Sequence, residues 1–153
     1  MGEVLKKRLK MSKFESPTQE AMLALMVTAS ELRSSFDRTL AAHGLTGEQY
    51  NILRILRGQP EGHQCGEIGD RMVDRSPDVT RRIDALEKQG LVERERSAGD
   101  RRVVNVRITQ KGMDVLDAIA PHLQEFESRV AANLNGEELE HLVGLCEKII
   151  QVS

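Results

Sequence analysis

Residues 64–109 have the sequence QCGEIGDRMVDRSPDVTRRIDALEKQGLVERERSAGDRRVVNVRIT. Apolar residues recur every three or four positions in its first half, which predicts two short helices, at about residues 64–72 and 76–89. Ser76 is a good N-cap for the second helix, and Pro77 suits its first position. Two short helices joined by a four-residue turn predict a helix-turn-helix.

A β-hairpin is predicted directly after the second helix. Residues 91–96 and 103–108 have strand-like sequences, and the second is rich in β-branched side chains. Residues 97–102 between them have the composition of a turn. Because a hairpin in this position forms a wing, the segment as a whole predicts a winged helix-turn-helix.

Further helices are predicted on both sides of this module. Apolar residues repeat at spacings of three and four in residues 18–42 and again in residues 109–133, where Thr109 is the expected N-cap. Capping boxes, in which two side chains satisfy the free amides of a helix start, predict helices after Thr46 and after Asn135. The chain is therefore expected to be mostly α with a small β wing.

The charge of the chain is unevenly distributed. A net charge of −2 over 153 residues argues against nucleic-acid binding when it is taken alone. Residues 71–107, however, carry ten Lys and Arg against seven acids, while residues 14–70 and 108–153 have net charges of −4 and −5. A basic middle between acidic flanks suits a phosphate-binding module mounted on a self-associating acidic frame.

The second helix of a helix-turn-helix enters the major groove of DNA with its N-terminal turns. A helical projection gathers Val79, Ile83 and Leu86 into one stripe that faces the protein body, and it turns Arg81 outward. The residues expected to meet base edges and flanking phosphates are Arg75, Ser76, Pro77, Asp78, Thr80 and Arg81. Arg82 lies nearer the core and would reach either a phosphate or a neighbouring acid. A solvated surface charge is an equally good interpretation of each single arginine.

The tip of the hairpin carries the sharper signal. Arg101 and Arg102 would lie at the height of the adjacent minor groove, where the negative potential of a narrow A·T-rich groove attracts guanidinium groups. Asp100 would support the wing by holding an arginine in its extended rotamer and by fixing the turn. The strands add arginines that would contact phosphates or balance the strand glutamates Glu93 and Glu95: Arg94, Arg96 and Arg107.

These residues resemble the pattern of the MarR family of transcriptional regulators. The matching segments are SPDVTR (76–81), LE (86–87), GLV (90–92), DRR (100–102) and VRIT (106–109), followed by Gly112. The wing of that family has an Asp, any residue, an Arg, a β-strand, then Leu-Thr and a Gly, and Ile108 here stands in for the Leu. Residues 44–53 are similar to the family's second helix, and the similarity extends over about residues 18–150.

The resemblance implies a homodimer in which the first and the last two helices of each subunit intertwine. It divides residues 18–153 into a helical dimerisation region (18–45 and 109–153) and a winged helix-turn-helix DNA-binding domain (46–108). Residues 1–17 show only a short amphipathic pattern and are interpreted as an N-terminal tail. The resemblance also implies a sequence-specific transcriptional regulator, in the first place a repressor, that binds pseudo-palindromic double-stranded DNA.

Many members of the family release DNA when a small phenolic or anionic effector binds between the dimerisation and DNA-binding parts. The polar side chains of this chain that the resemblance would place there are those of His43, Tyr50 and Arg54. Their spacing is not diagnostic, and a satisfied or surface side chain is the simpler interpretation of each.

Two alternatives stay open. A winged-helix protein-interaction module would never touch nucleic acid, and the net charge of −2 slightly favours it. A redox-sensing regulator would use Cys65, which lies at the start of the helix-turn-helix, where a helix N-terminus favours the thiolate. A packed thiol is the simpler interpretation of Cys65. Cys146 lies on an apolar stripe and is expected in the core.

An enzyme is the least supported class. His63 near Cys65 is the one pairing that suggests nucleophilic catalysis, and it lacks an orienting third group. The four histidines have no metal-ligand spacing and there is no Gly-rich phosphate loop, so neither a metal nor a cofactor is expected. No stretch approaches the roughly 18 apolar residues of a membrane span, and the N-terminus is no secretory signal, so we expect no membrane partner and a cytoplasmic location.

Overall fold

The computed structural model describes residues 2–74, 78–96 and 104–152. They form seven helices and three short strands, and the chain divides into two compact units, Met1–Gly47 and Glu48–Ser153. The elements in chain order are α1 (Glu3–Leu9), α2 (Pro17–Ala41), α3 (Gly47–Arg57), β1 (His63–Gln64), α4 (Cys65–Arg71), α5 (Val79–Lys88), β2 (Val92–Arg96), β3 (Val104–Ile108), α6 (Gln110–Ala131) and α7 (Gly136–Ile150). The mostly α architecture with a small β wing is as predicted.

The first unit consists of α1, α2 and the turn that follows α2. Helix α2 begins at the N-cap Ser16, whose hydroxyl accepts a hydrogen bond from the Gln19 amide at 3.1 Å, and Pro17 takes the first helical position. Helix α1 lies within the segment predicted as a tail, and Arg8 Nη2 donates to Glu31 Oε1 of α2 at 2.5 Å. The sequence did not predict α1 because its seven residues have no side-chain cap and bury no side chain.

The helix-turn-helix consists of α4 and α5, which pack against each other. Helix α4 begins with a capping box between Gln64 and Glu67, and it buries Ile68 as predicted. Helix α5 begins at Val79 with Asp78 as N-cap, and the predicted N-cap Ser76 lies outside the described residues. Within the described residues, the Arg82 amide donates to the Asp78 carbonyl at 3.3 Å.

The wing is a three-stranded antiparallel sheet with the order β1-β3-β2. In the hairpin, Val92 lies opposite Ile108 and Arg94 lies opposite Val106, and His63 of β1 pairs with Val106 on the other side. The hairpin was predicted, whereas β1 was not, because a two-residue strand is too short to show an alternating pattern. The predicted turn at residues 97–102 lies outside the described residues.

Helices α6 and α7 follow the wing and carry the caps that the sequence predicts. The Thr109 hydroxyl accepts from the Gly112 amide at 3.1 Å, and Asn135 Oδ1 accepts from the Glu138 amide at 3.0 Å. Helix α6 buries Leu116, Ile119 and Leu123, whereas α7 buries no residue. In the described part of the chain, no helix is both long enough and apolar enough to cross a membrane.

Candidate nucleic-acid interface

The recognition helix α5 has one buried side and one exposed side. Val79, Ile83 and Leu86 are buried, as the helical projection predicts, and α5 packs against α4 and β2. Thr80 is exposed, and the Arg81 side chain is 84% exposed, with Nη1 3.5 Å from Asp78 Oδ2. Because an exposed ion pair of this length holds a side chain weakly, Arg81 can extend toward a phosphate or a base edge.

Arg82 contacts an acid within the protein. Its guanidinium donates from Nε to Oε2 of Glu48 and from Nη2 to Oε1 of Glu48 at 2.7 Å. Glu48 lies in the first turn of α3, so the pair joins α5 to α3. The sequence left open whether Arg82 contacts a phosphate or a neighbouring acid, and in the structure its partner is the acid Glu48.

Arg94 joins the wing to the recognition helix. From β2, its Nη2 donates to Asp84 Oδ1 at 2.6 Å and its Nη1 donates to Glu87 Oε2 at 2.5 Å. Burial opposes the charged form of Arg94, but the hydrogen bonds to Asp84 and Glu87 outweigh it and raise the pKa of Arg94 above its ordinary value. The sequence predicted a phosphate or a strand glutamate as the partner of Arg94, and the carboxylates of α5 take that place.

Arg107 follows the prediction for the strands. Its Nη1 lies 2.7 Å from Glu95 Oε2 on the neighbouring strand, and its Nε donates to the Glu61 carbonyl at 3.1 Å. The strand arginine therefore balances a strand glutamate, and it also ties β3 to the loop before β1. Arg96 at the end of β2 is exposed.

The Thr and Gly of the wing motif anchor the end of α5. The Thr109 hydroxyl donates to the Gly90 carbonyl at 2.7 Å, and the Thr109 amide donates to the Leu91 carbonyl at 3.0 Å. Gly112 lies against the same carbonyl, since a Cβ on it would be 2.3 Å from Leu91 O. These two residues therefore hold the α5–β2 junction against the start of α6, which explains why a Gly stands there.

Six predicted site residues lie outside the described part of the chain, so their DNA contacts stay predictions. In the helix-turn-helix they are Arg75, Ser76 and Pro77, and in the wing they are Asp100, Arg101 and Arg102. Asp78, Thr80, Arg81 and Arg82 are described, the first as the N-cap of α5 and the others in its first turn.

The predicted effector residues divide between the two compact units. Tyr50 and Arg54 lie one turn apart on α3, whereas His43 follows α2 and is half-buried. Burial raises the pKa of the half-buried Tyr50 phenol, and the charge of Arg54 opposes that shift. Arg54 Nη2 donates to Asn51 Oδ1 at 3.0 Å. Their role in ligand binding stays a prediction.

The structure gives the buried His63 a carboxylate partner that the sequence did not identify, and it describes both cysteines as free thiols. Cys65 and Cys146 are half-buried free thiols, so Cys146 is less enclosed than the predicted core position. His63 is buried, and its Nδ1 lies 3.3 Å from Glu67 Oε2. The hydrogen-bond partner of His63 is therefore a carboxylate that also caps α4 through the Gln64 amide.

Sequence reasoning missed three carboxylates that hold the interface together: Glu48, Asp84 and Glu87. Each is an acid on or beside a predicted DNA-binding helix, where a negative charge considered alone is unfavourable for DNA binding. Their partners lie 34, 10 and 7 positions away in sequence, so no helical or cross-strand spacing identifies them.

Comparisons with known proteins agree on one family. Residues 45–104 match the model of the MarR family. The HTH-type transcriptional regulator MhqR of Bacillus subtilis (strain 168) is 28% identical over 136 residues, which cover 86% of this chain and 92% of that protein. An uncharacterised HTH-type regulator of the same organism, YkoM, is 30% identical over 145 residues, which cover 92% of each chain.

Solved structures give the same result. A MarR transcription factor from Planctomyces limnophilus is 37% identical with a TM-score of 0.67, and the match covers 88% of this chain and 98% of that one. The S. aureus MepR–DNA complex has a TM-score of 0.77 at 24% identity and covers 85% and 96% of the two chains. Sequence and structure together show that this chain belongs to the MarR family of winged helix-turn-helix transcriptional regulators, which are not enzymes.

Proposed function

We propose that the protein is a sequence-specific repressor that binds pseudo-palindromic double-stranded DNA as a homodimer and releases it when a small phenolic or anionic effector binds. One observation carries the DNA-binding part of this proposal. The outward face of α5 presents Thr80 and the 84% exposed Arg81, while the carboxylates at its edge are neutralised by Arg94. An exposed cation, together with carboxylates whose charge is neutralised within the protein, suits a helix that approaches phosphates.

A homologous fold supports the same conclusion. MepR of S. aureus, whose fold this chain shares, has been solved as a complex with DNA. In a helix-turn-helix, the second helix lies in the major groove and its N-terminal residues contact base edges, which assigns the reading role to Asp78, Thr80 and Arg81 here. The wing residues Arg101 and Arg102 would contact the adjacent minor groove.

The homodimer is supported by apolar side chains that a single chain leaves in water. On α2, Met22 and Met26 are more than half exposed, and on α7 the exposed residues are Leu139, Leu142, Val143, Leu145, Ile149 and Ile150. Contiguous exposed apolar surface marks an interaction site in most water-soluble proteins. A second copy of the chain would cover these faces and set two recognition helices about one turn of DNA apart.

The effector would bind near α3. The half-buried Tyr50 phenol can form a hydrogen bond with a phenol or a carboxylate of the effector. The Arg54 guanidinium, one turn later, can attract a negatively charged effector. A panel of phenols and aromatic carboxylates would be the first compounds to test.

The test is a selection of bound duplexes from a random DNA pool by the wild-type chain, followed by binding assays on the selected duplex. We expect a pseudo-palindrome with half-sites about 10 base pairs apart, and an affinity that falls steeply with salt. Arg102→Ala should weaken binding without lowering the thermal midpoint, and a compound of the panel should release the DNA. Failure to enrich any duplex would instead favour the protein-interaction module, which the net charge of −2 allows.

A further inference from the structure

We propose that Arg94 is a positioning residue for DNA recognition: by holding Asp84 and Glu87 it fixes the rotation of α5 about its own axis, and thereby the bases that α5 can read. The inference rests on the proposed function, since it concerns how the recognition helix meets DNA. It assigns to Arg94 an internal role in place of a contact with phosphate.

The geometry of the contact restrains rotation. Asp84 and Glu87 lie on successive turns of α5, and each accepts a hydrogen bond from a different terminal nitrogen of the same guanidinium, at 2.6 and 2.5 Å. Because the guanidinium is planar and its donors form a rigid fork, both distances are satisfied only over a narrow range of helix orientations. The Arg94 side chain is 25% exposed, and its backbone is held in the sheet opposite Val106.

The opposite edge of α5 is held as well. Arg82 pairs with Glu48 of α3, and Arg82 and Glu87 lie about 140° apart around the helix at 100° per residue. The buried stripe of Val79, Ile83 and Leu86 lies between them. The helix is therefore restrained by ion pairs at both borders of its buried side, and Thr80 and Arg81 are left on the outside.

A small rotation would matter for reading bases. Apolar contacts have no preferred bond direction, so the buried stripe defines the rotation of the helix less sharply than hydrogen bonds to a planar guanidinium do. A turn of about 20° moves a group at the surface of a helix, roughly 5 Å from its axis, by about 2 Å. Hydrogen bonds to base edges do not survive a displacement of that size. Contacts with phosphates depend more on charge than on exact geometry, so they are less sensitive to such a displacement.

A simpler explanation of the contacts of Arg94 with Asp84 and Glu87 predicts the opposite effect on DNA affinity when both carboxylates are removed. If Arg94 served only to neutralise Asp84 and Glu87, removing both carboxylates would lessen repulsion from DNA and tighten binding to every duplex. If Arg94 positions α5, removing the carboxylates lowers affinity for the selected duplex even though the protein has lost two negative charges. The double variant Asp84→Asn/Glu87→Gln therefore separates charge from positioning.

The experiment uses the full chain, the duplex selected by the wild-type protein, and a shuffled duplex of equal length and composition. Affinities are measured at several KCl concentrations for Arg94→Gln, Arg94→Lys and Asp84→Asn/Glu87→Gln. Arg57→Gln is the matched control, because it also removes one arginine and one ion pair, the surface pair of 3.0 Å with Asp117. Circular dichroism establishes that each variant is folded at the assay temperature, and hydrogen exchange of the α5 amides reports the restraint without DNA.

We expect Arg94→Gln and the double variant each to lower the ratio of the two affinities about tenfold, the size of effect of one mismatched base pair. The charge changes alone should shift binding to both duplexes alike and leave the salt slope unchanged, because no phosphate contact is lost. The α5 amides should exchange faster. Arg94→Lys should retain only part of the wild-type affinity ratio, because an ammonium lacks the rigid, planar set of donors that a guanidinium has. The Arg57→Gln protein should behave as wild type.

Two results would overturn the inference. One is tighter binding of both duplexes by the double variant at an unchanged ratio. The other is an equal loss on both duplexes for Arg94→Gln with a salt slope smaller by about one, as expected for a lost phosphate contact. A wild-type chain that selects no duplex would overturn the proposed function, whereas an unchanged ratio and unchanged α5 exchange in the variants would overturn only the role of Arg94.

Discussion

Arg82 and Glu48 form an ion pair across 34 positions of sequence, with Nε and Nη2 of the arginine on the two oxygens of the carboxylate. The Arg82 side chain is only 22% exposed. An arginine on the recognition helix, which the sequence places among the DNA-binding residues, thus joins that helix to α3. Position on a recognition helix is therefore not enough to assign a contact with DNA.

Disrupting this pair should lower stability. Arg82→Gln and Glu48→Gln should each reduce the free energy of unfolding by about 1 kcal/mol, as expected for a two-nitrogen pair that is only partly exposed. The double variant should lose no more than the larger single loss, because both changes remove the same interaction. Urea denaturation of the four proteins measures the coupling, and additive losses would show that the pair contributes nothing.

Arg81, the neighbouring residue, should behave in the opposite way. Arg81→Ala should leave the unfolding midpoint unchanged, since its side chain is 84% exposed and its ion pair with Asp78 is long. It should weaken binding to the selected duplex and reduce the slope of log K against log salt by about one, the contribution of one neutralised phosphate. Arg82→Gln is the control and should retain the wild-type slope. A wild-type slope for Arg81→Ala would remove Arg81 from the interface.

Gly112 should not tolerate a side chain. A Cβ there would lie 2.3 Å from the Leu91 carbonyl oxygen and 2.7 Å from Ile108 Cγ1, so the α5–β2 junction would have to move away from α6. We expect Gly112→Ala to destabilise the protein by about 1–3 kcal/mol, the usual cost of overpacking. Gly136→Ala is the matched control, because its Cβ meets no atom within 4 Å and it lies in the first turn of α7. Thermal melting of the two variants compares them directly, and equal midpoints would contradict the expectation.

The parts of the fold that could be predicted from sequence depend on residues close together in the chain. Asn135 and Glu138 cap each other over three positions, at 2.8 and 3.0 Å, and Thr109 caps α6 over the same distance. The stripe of α5 follows from a repeat of three and four residues. Local spacing fixes such contacts before any packing is known, which is why these elements were placed correctly.

The parts that could not be predicted depend on which elements meet in space. Arg94 finds Asp84 and Glu87 only because β2 lies beside α5, and His63 forms a strand only because β3 passes next to it. At the candidate site, the sequence identified α5 as the helix that would contact DNA, but it did not identify the carboxylates of Glu48, Asp84 and Glu87 that form ion pairs at its borders.

The exposed apolar face of α7 should be required for self-association. Leu142 and Ile149 are seven positions apart on this helix and are 43% and 45% exposed in the single chain. Leu142→Glu/Ile149→Glu should convert the proposed dimer into a monomer, as measured by analytical ultracentrifugation, and should abolish binding to a full pseudo-palindrome. Val4→Glu on α1 is the control, since Val4 is 86% exposed and its helix buries nothing. An unchanged dimer in the double variant would place the interface elsewhere.

Glu67 should make stability depend on pH in the acid range. The pKa of Glu67 is lowered from its usual 4.5 by the hydrogen bond from the Gln64 amide and by the one with His63, so the folded protein favours the carboxylate. A group whose pKa is lower in the folded state stabilises it above the unfolded pKa, and that contribution is lost as the pH falls through the folded pKa. The thermal midpoint of the wild-type protein should therefore fall between about pH 5 and pH 3 more steeply than that of Glu67→Gln, whose amide does not titrate. Glu140→Gln, on the exposed surface of α7, should keep the wild-type pH dependence. Parallel curves for wild type and Glu67→Gln would show that the α4 cap is formed equally well by the protonated acid.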